Sequence, residues 1–299
     1  MSRGYKYIGL KMNAIRRLKW MLFLFLLGWA NIADAGVYWY PNSGNDTGDG
    51  TSAHPVKTWE RAYQLLSTQG NDEWIYQYER LTISSTTTIN GAISGKANAR
   101  VKRCFIDFMF VVNSGVTLTL KNITISGEFA SSNLHWDGTK SIIATSGVVV
   151  LDNDTVLKDN YVKSTDEPLG GAVRIWNAGT LTMNEGCLIE NCRAEVTDGE
   201  GGAIMSGGNC TLNIYGGTIR NCHASRIGGA ISLRSGSYTF NMTGGTIENC
   251  YSRKGGAAFI YPLTATANLN ATINFSGGTI KDCNNAAILS GAAFYVGSY

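Results

Sequence analysis

Histidine is scarce in this chain of 299 residues: His54, His135 and His223 lie far apart, and the seven cysteines include no Cys-x-x-Cys pair. Zinc-type ligand spacing is therefore missing. The chain also lacks an apolar run long enough to span a bilayer. The run from Trp20 to Ala30 has 11 residues, where a spanning helix needs about 20. Helical periodicity is absent over residues 170–283, which excludes an α-solenoid there. Nor is there a basic excess outside the first 35 residues. The whole chain carries 25 basic and 22 acidic residues, and removing residues 1–35 takes away six of the former and one of the latter. The remainder has 19 basic and 21 acidic residues, a formal charge of −2, so nothing in the charge supports nucleic-acid binding.

What the sequence has instead is one phrase written four times. It opens as Gly170-Gly171-Ala172-Val173, Gly201-Gly202-Ala203-Ile204, Gly228-Gly229-Ala230-Ile231 and Gly255-Gly256-Ala257-Ala258. It closes as Ile189-Glu190-Asn191-Cys192, Ile219-Arg220-Asn221-Cys222, Ile247-Glu248-Asn249-Cys250 and Ile280-Lys281-Asp282-Cys283. Successive openings are 31, 27 and 27 residues apart, a period that marks a solenoid whose units bury their apolar face by stacking.

Between opening and close lies an alternating segment: Thr180–Met183, Thr211–Ile214, Thr239–Met242 and Thr272–Phe275. Alternation of this kind makes a half-buried strand, and the glycines that follow supply bends. Three short strands and three bends per repeat suit a parallel β-helix, whereas a propeller blade would need a fourth strand. Stacking also places Lys158, Glu190, Arg220, Glu248 and Lys281 in one file with signs that alternate throughout, an order that favours this register over one pairing like charges.

Taken in order, Arg16-Arg17-Leu18-Lys19, the apolar run and Ala33-Asp34-Ala35 read as a secretory signal over residues 1–35, and Met12 is a plausible alternative start. Residues 36–80 read as an N-terminal cap containing a strand at Val37–Tyr40 and an amphipathic helix after Thr58 as N-cap. The β-helix follows over 81–299, regular from 170 onward. Its early strands are expected at Leu81–Ile83 and Phe105–Phe110 and recognisable rungs at Val116–Ile125 and Val148–Asn160, with insertions at Gly127–Lys140 and Val162–Pro168. No capping segment follows Gly291–Val296, and a continuation past Tyr299, or cover by another chain, is expected.

Several constellations compete with structural readings. Cys192, Cys222, Cys250 and Cys283 fall at one aligned position, suiting a reduced buried stack, with one or two disulfides or a metal as alternatives. Asn191, Asn221, Asn249 and Asp282 read as an internal ladder at a left-handed bend. The loop Asn45–Gly50 is rich in oxygen donors but lacks the distal glutamate of an EF-hand, so a plain turn is favoured over a Ca²⁺ site. Asp198 and Glu200 share one inter-repeat loop and have no assignable partner. With Val173 and Ile175 inward, Arg174, Trp176, Phe259, Tyr261 and Phe294 are expected to face out, stacking on one another or meeting a following segment. No residue receives a catalytic, cofactor-binding or metal-binding role.

The phrase from Gly44 to Thr51 followed by Pro55–Trp59 resembles the opening of secreted proteins of the pectate-lyase-like β-helix superfamily. The repeated Gly-Gly-Ala-[Ile/Val] phrases are similar to the polymorphic outer membrane protein and adhesin-like repeats of bacteria. Two departures stand out: that family's Phe-x-x-Asn motif is replaced by segments such as Leu188-Ile189-Glu190-Asn191, and no C-terminal membrane barrel follows. The expectation is an all-β, right-handed parallel β-helix, the hand resting on crossover preference and this resemblance. The expected role is that of an exported, surface-displayed, non-catalytic protein binding a glycan or protein along its flank or loops. A carbohydrate-active enzyme, most plausibly a polysaccharide lyase with its site in 81–169, is the rival, and a structural spacer is the third reading.

Overall fold

A computed structural model describes residues 36–68, 74–129, 139–163, 170–176, 178–234, 236–261, 270–285, 291 and 293–296. The expected signal segment thus lies outside the described residues, as do His135 and most of both insertions. Residues 36–299 form one compact unit.

Alternation along each segment decides which side chains enter the core, and stacking then joins like positions. The result is a parallel β-helix of four sheets, with nine, eight, seven and five strands. The nine-stranded sheet runs through Gly36–Trp39, Trp74–Gln77, Ala99–Arg103, Ile123–Phe129, Val156–Lys158, Leu188–Glu190, Thr218–Arg220, Thr246–Glu248 and Thr279–Lys281. Every pairing in the four sheets is parallel, and the register places Ile189, Ile219 and Ile247 in one column. Leu157 precedes that column and Ile280 follows it. Each buried isoleucine of this kind contributes about 1.5–3 kcal/mol.

The Gly-Gly-Ala phrase has a separate physical reason at each position. Gly201, Gly228 and Gly255 hold φ of 62°, 63° and 66°, a region that side chains disfavour. At the second glycine there is no room: a Cβ on Gly202 would run into the carbonyl of Gly229, and one on Gly229 into that of Gly256. The alanine is fully buried in each regular repeat. The carbonyls of Ala203, Ala230 and Ala257 each accept two successive amides from the preceding rung, as when Ala203 and Ile204 donate to Ala230 at 2.9 Å each.

The close of the repeat bends at Asn191, Asn221, Asn249 and Asp282, with φ of 54°, 55°, 53° and 53°. Asn191 Nδ2 donates to Asp159 Oδ1 at 3.1 Å and Asn221 Nδ2 to Asn191 Oδ1 at 3.4 Å. This ladder is not internal: Asn221 and Asn249 are exposed, because a left-handed bend turns the short side chain away from the core.

The charge file has the expected register, Lys158 opposite Glu190, then Arg220, Glu248 and Lys281. Arg220 donates through Nε and Nη2 to Glu190 Oε2 at 2.9 and 2.7 Å, and Lys281 meets Glu248 at 2.9 Å. Lys158 instead bonds its neighbour Asp159 at 3.1 Å.

Three expectations need correction. A regular turn has four strands, since Arg193–Ala194, His223–Ala224, Tyr251–Ser252 and Asn284–Asn285 build the five-stranded sheet after each cysteine. The stretch Phe105–Phe110 is not one strand: strands form at Ala99–Arg103 and Phe110–Val112. The reason is Arg103, whose fully buried guanidinium donates to the carbonyls of Asp107 at 2.7 Å and Ser141 at 3.0 Å and so holds 104–109 as a bend. Finally, Phe294 pairs with Ala258 and so continues the inward file of Val173, Ile204, Ile231 and Ala258. Phe294 thereby packs toward the core rather than outward.

The helix forms at Trp59–Thr68, the one helix among the described residues, and Thr58 Oγ1 accepts the Arg61 amide at 3.2 Å. Its buried face of Trp59, Ala62 and Leu66 joins the core beside Trp39, whose ring meets Trp59 edge-on at 5.8 Å. The strands Gly36–Trp39 and Trp74–Gln77 are themselves the first two members of the nine-stranded sheet.

Candidate functional site

Because Val37, Trp39, Ile75, Gln77, Val101 and Arg103 point inward and are buried, the residues between them occupy the outer face of the first rungs. These are Tyr38 and Tyr40, Trp74 and Tyr76 with Tyr78, and Arg100 with Lys102. The register sets Tyr38 beside Tyr76 and Lys102 beyond it, with Trp74 next to Arg100. Gly36 makes room, since the Tyr76 ring occupies the space a Cβ would need there.

The rings form a continuous patch. Tyr40 and Tyr78 stack at 4.8 Å and 9°, Tyr38 and Tyr78 at 5.4 Å and 16°, and Tyr38 meets Tyr76 at 5.6 Å. Arg100 lies 4.9 Å and Lys102 5.4 Å from the Trp74 ring centre. Lys102 also meets Glu128 at 3.6 Å. Burial and the neighbouring Cys104 raise the phenols of Tyr78 and Tyr40 above their ordinary value. All five aromatic residues are half-buried. Rigid, amphipathic side chains of this type supply contact area at low entropic cost. Sequence reasoning missed the patch; the signal was there in Tyr38-x-Tyr40 and Tyr76-x-Tyr78, two like pairs with the same alternation.

The acidic loop acquires partners from the following rung. Glu200 is fully buried and meets Arg234 at 2.8 Å and Arg226 at 3.9 Å, while Asp198 meets Arg226 at 3.0 Å. Two acids held by two arginines across rungs make a brace. The aromatic residues expected on later rungs pack on one another: Phe259 is fully buried, 5.1 Å from Tyr295 and 6.4 Å from Tyr261. Trp176 meets Phe108 edge-on at 5.5 Å. Arg174 is not exposed either; it is buried, with its guanidinium against the Met205 sulfur.

In the Asn45–Gly50 loop the oxygens bind backbone. Asp46 Oδ1 accepts the amides of Lys57 and Thr58 at 2.9 and 2.8 Å, and Asp49 Oδ1 accepts the Thr51 amide at 3.0 Å and the Thr51 side-chain hydroxyl at 2.7 Å. Partial burial opposes ionisation of Asp46, but these amides prevail and hold its carboxyl below the ordinary range. The four aligned cysteines are free thiols, and Cys192, Cys222 and Cys250 each donate to the carbonyl two residues back at 3.3 Å. Burial pushes the Cys222 thiol well up, and Cys187, elsewhere in the core, to about 12.

No family model, curated protein or solved structure matches this chain. Its chemistry is therefore read from its own geometry. In the 81–169 region, Asp107 lies between Arg80 at 3.0 Å and Lys140 at 3.6 Å. Among the described residues no three His, Cys, Asp or Glu side chains gather as metal ligands, and no helix is long and apolar enough to cross a membrane.

Proposed function

We propose that this chain is an exported, surface-displayed, non-catalytic β-helix of the adhesin-like kind, docking a glycan on the flank of its first rungs. The observation that carries this reading is the patch of Tyr38, Tyr40, Tyr76, Tyr78 and Trp74, bordered by Arg100 and Lys102. Sugar rings present C–H faces to aromatic surfaces and hydroxyls to phenols, and the two cations suit a carboxylate or sulfate on such a ring. Asp198 and Glu200, the two acids that share one inter-repeat loop, are occupied by arginines, and Asp107 in the 81–169 region by Arg80 and Lys140, which supports binding over cleavage. The resemblance of the Gly-Gly-Ala repeats to polymorphic outer membrane protein and adhesin-like repeats supports export and surface display.

A glycan array probed with the full chain tests the reading. Binding is expected without product release. Trp74→Ala combined with Tyr78→Ser is expected to weaken it by about 2 kcal/mol, roughly 30-fold, the size of a hot-spot loss, with the unfolding midpoint little changed. Retained affinity in that variant would remove the patch from the mechanism. Release of unsaturated oligosaccharides from an acidic polysaccharide would instead establish the lyase reading.

A further inference from the structure

The closing cysteine of each regular repeat stands at a corner between two sheets, and like corners stack. The carbonyls of Cys192, Cys222 and Cys250 accept the amides of His223, Tyr251 and Asn284 at 3.0, 3.0 and 2.9 Å, which holds Cys192, Cys222, Cys250 and Cys283 in register on successive rungs. Stacked positions lie about 4.8 Å apart, within the roughly 4.4–6.8 Å between Cα atoms that a disulfide spans. Side-chain interactions run from thiol to thiol along this file, from Cys222 to Cys192 and Cys250, and from Cys250 to Cys283.

The four thiols are not alike. Cys192, Cys222 and Cys250 are buried, and each donates to a carbonyl of its own rung at 3.3 Å. Cys283 is partly exposed. Its sulfur leans back onto the preceding rung, toward the Ile247 carbonyl at 3.8 Å, and that is the rung of Cys250. Cys283 therefore combines access to solvent with a sulfur turned to its neighbour in the file. Its own rung is thinly covered, with Phe275 at 47 % exposure.

We infer that Cys250 and Cys283 are a site of reversible oxidative modification, closing to a disulfide that locks one rung onto the next. The inference is independent of the glycan reading. The oxidant is a small disulfide such as glutathione disulfide. The Cys283 thiolate attacks one of its sulfurs; the S–S bond breaks, a mixed disulfide forms on Cys283, and one glutathione leaves as thiolate and takes up the proton that Cys283 gave up. The Cys250 thiolate then attacks the Cys283 sulfur, displaces the second glutathione and completes the bridge. Two protein thiols thus lose two protons and two electrons, and the oxidant ends as two glutathione thiols. Cys192 and Cys222, sealed in the core, remain thiols. The strands Ala271–Phe275 and Thr279–Lys281 lie between the two cysteines, so the bridge limits how far they can open.

Incubation of the folded full chain with glutathione disulfide, then alkylation in denaturant and peptide mass mapping, tests this. A peptide joining Cys250 to Cys283 is expected, lost on treatment with dithiothreitol and absent from Cys283→Ser. Cys104→Ser, which removes the other partly exposed thiol, is expected to keep it. Hydrogen exchange of Ala271–Phe275 and Thr279–Lys281 is expected to slow by at least about tenfold in the bridged chain, and to be unaffected by the oxidant in Cys283→Ser. Glutathione left on Cys283 with no link to Cys250, a bridge between Cys222 and Cys250, or seven thiols unchanged overturns the inference. A bridge that leaves exchange unaltered overturns the locking role.

Discussion

At Gly229 the missing side chain is a condition for two rungs to close. A Cβ there would meet the carbonyl of Gly256 and the amide of Tyr251, and the Gly229 amide is bonded to the Gly255 carbonyl at 3.0 Å. The backbone cannot withdraw without giving up that bond, so Gly229→Ala combines overpacking with a weakened ladder, about 3 kcal/mol. Gly95 gives the contrast: its φ is 72° and nothing lies within 4 Å of its would-be Cβ. Gly95→Ala meets only the backbone preference, about 1–2 kcal/mol. Urea unfolding of the two variants is expected to show a clearly larger drop in midpoint for Gly229→Ala. Equal drops would mean that close approach is not what the second glycine serves.

Along an element the same discipline appears as charge. Arg220 stands between Glu190 and Glu248 in adjacent strands, and Arg220→Glu would set three acids side by side while removing the bonds to Glu190. The side chain is 42 % exposed, so the loss is modest, about 1 kcal/mol at low ionic strength, and is expected to shrink as salt rises. A midpoint shift that is independent of salt would contradict an electrostatic origin. This file was legible in the sequence because its members recur at a fixed place after the closing isoleucine. The bends were legible too, since glycine and asparagine announce left-handed backbone. The strand Arg193–Ala194 was not: two residues are too few for alternation to show. In the early rungs Gln77 and Arg103 occupy inward positions, where Gln77 Nε2 donates to the Met109 carbonyl at 2.9 Å, and polar residues pointing inward break the pattern by which strands are found. The tyrosine patch escaped because Tyr38 and Tyr76 are 38 residues apart, outside the period of the later repeats. The inward place of Phe294 was legible, since Gly291-x-Ala293-Phe294 keeps the spacing of Gly228-x-Ala230-Ile231, and its aromatic character drew it to the outward group instead.

Across the whole molecule each rung rests on its neighbours alone, which makes stability a sum of local terms rather than the property of one central core. Ile219 is buried between Ile189 and Ile247, and Ile219→Ala removes a side chain worth about 2–5 kcal/mol with its cavity. In a molecule with one cooperative core that loss would lower protection everywhere. Here it is expected to fall mainly on amides of residues 173–252, while those of the strands at 36–103 keep theirs. The core also thins toward the last described rungs, where Phe275 and Val296 are 47 % and 59 % exposed. Amides of Ala271–Phe275 and Thr279–Lys281 are accordingly expected to exchange first even in the unaltered chain, because exposed backbone bonds open at low free energy. Hydrogen exchange read segment by segment separates the two pictures: a graded profile with a local dip in the variant fits nearest-neighbour stacking, and a uniform loss across all four sheets contradicts it.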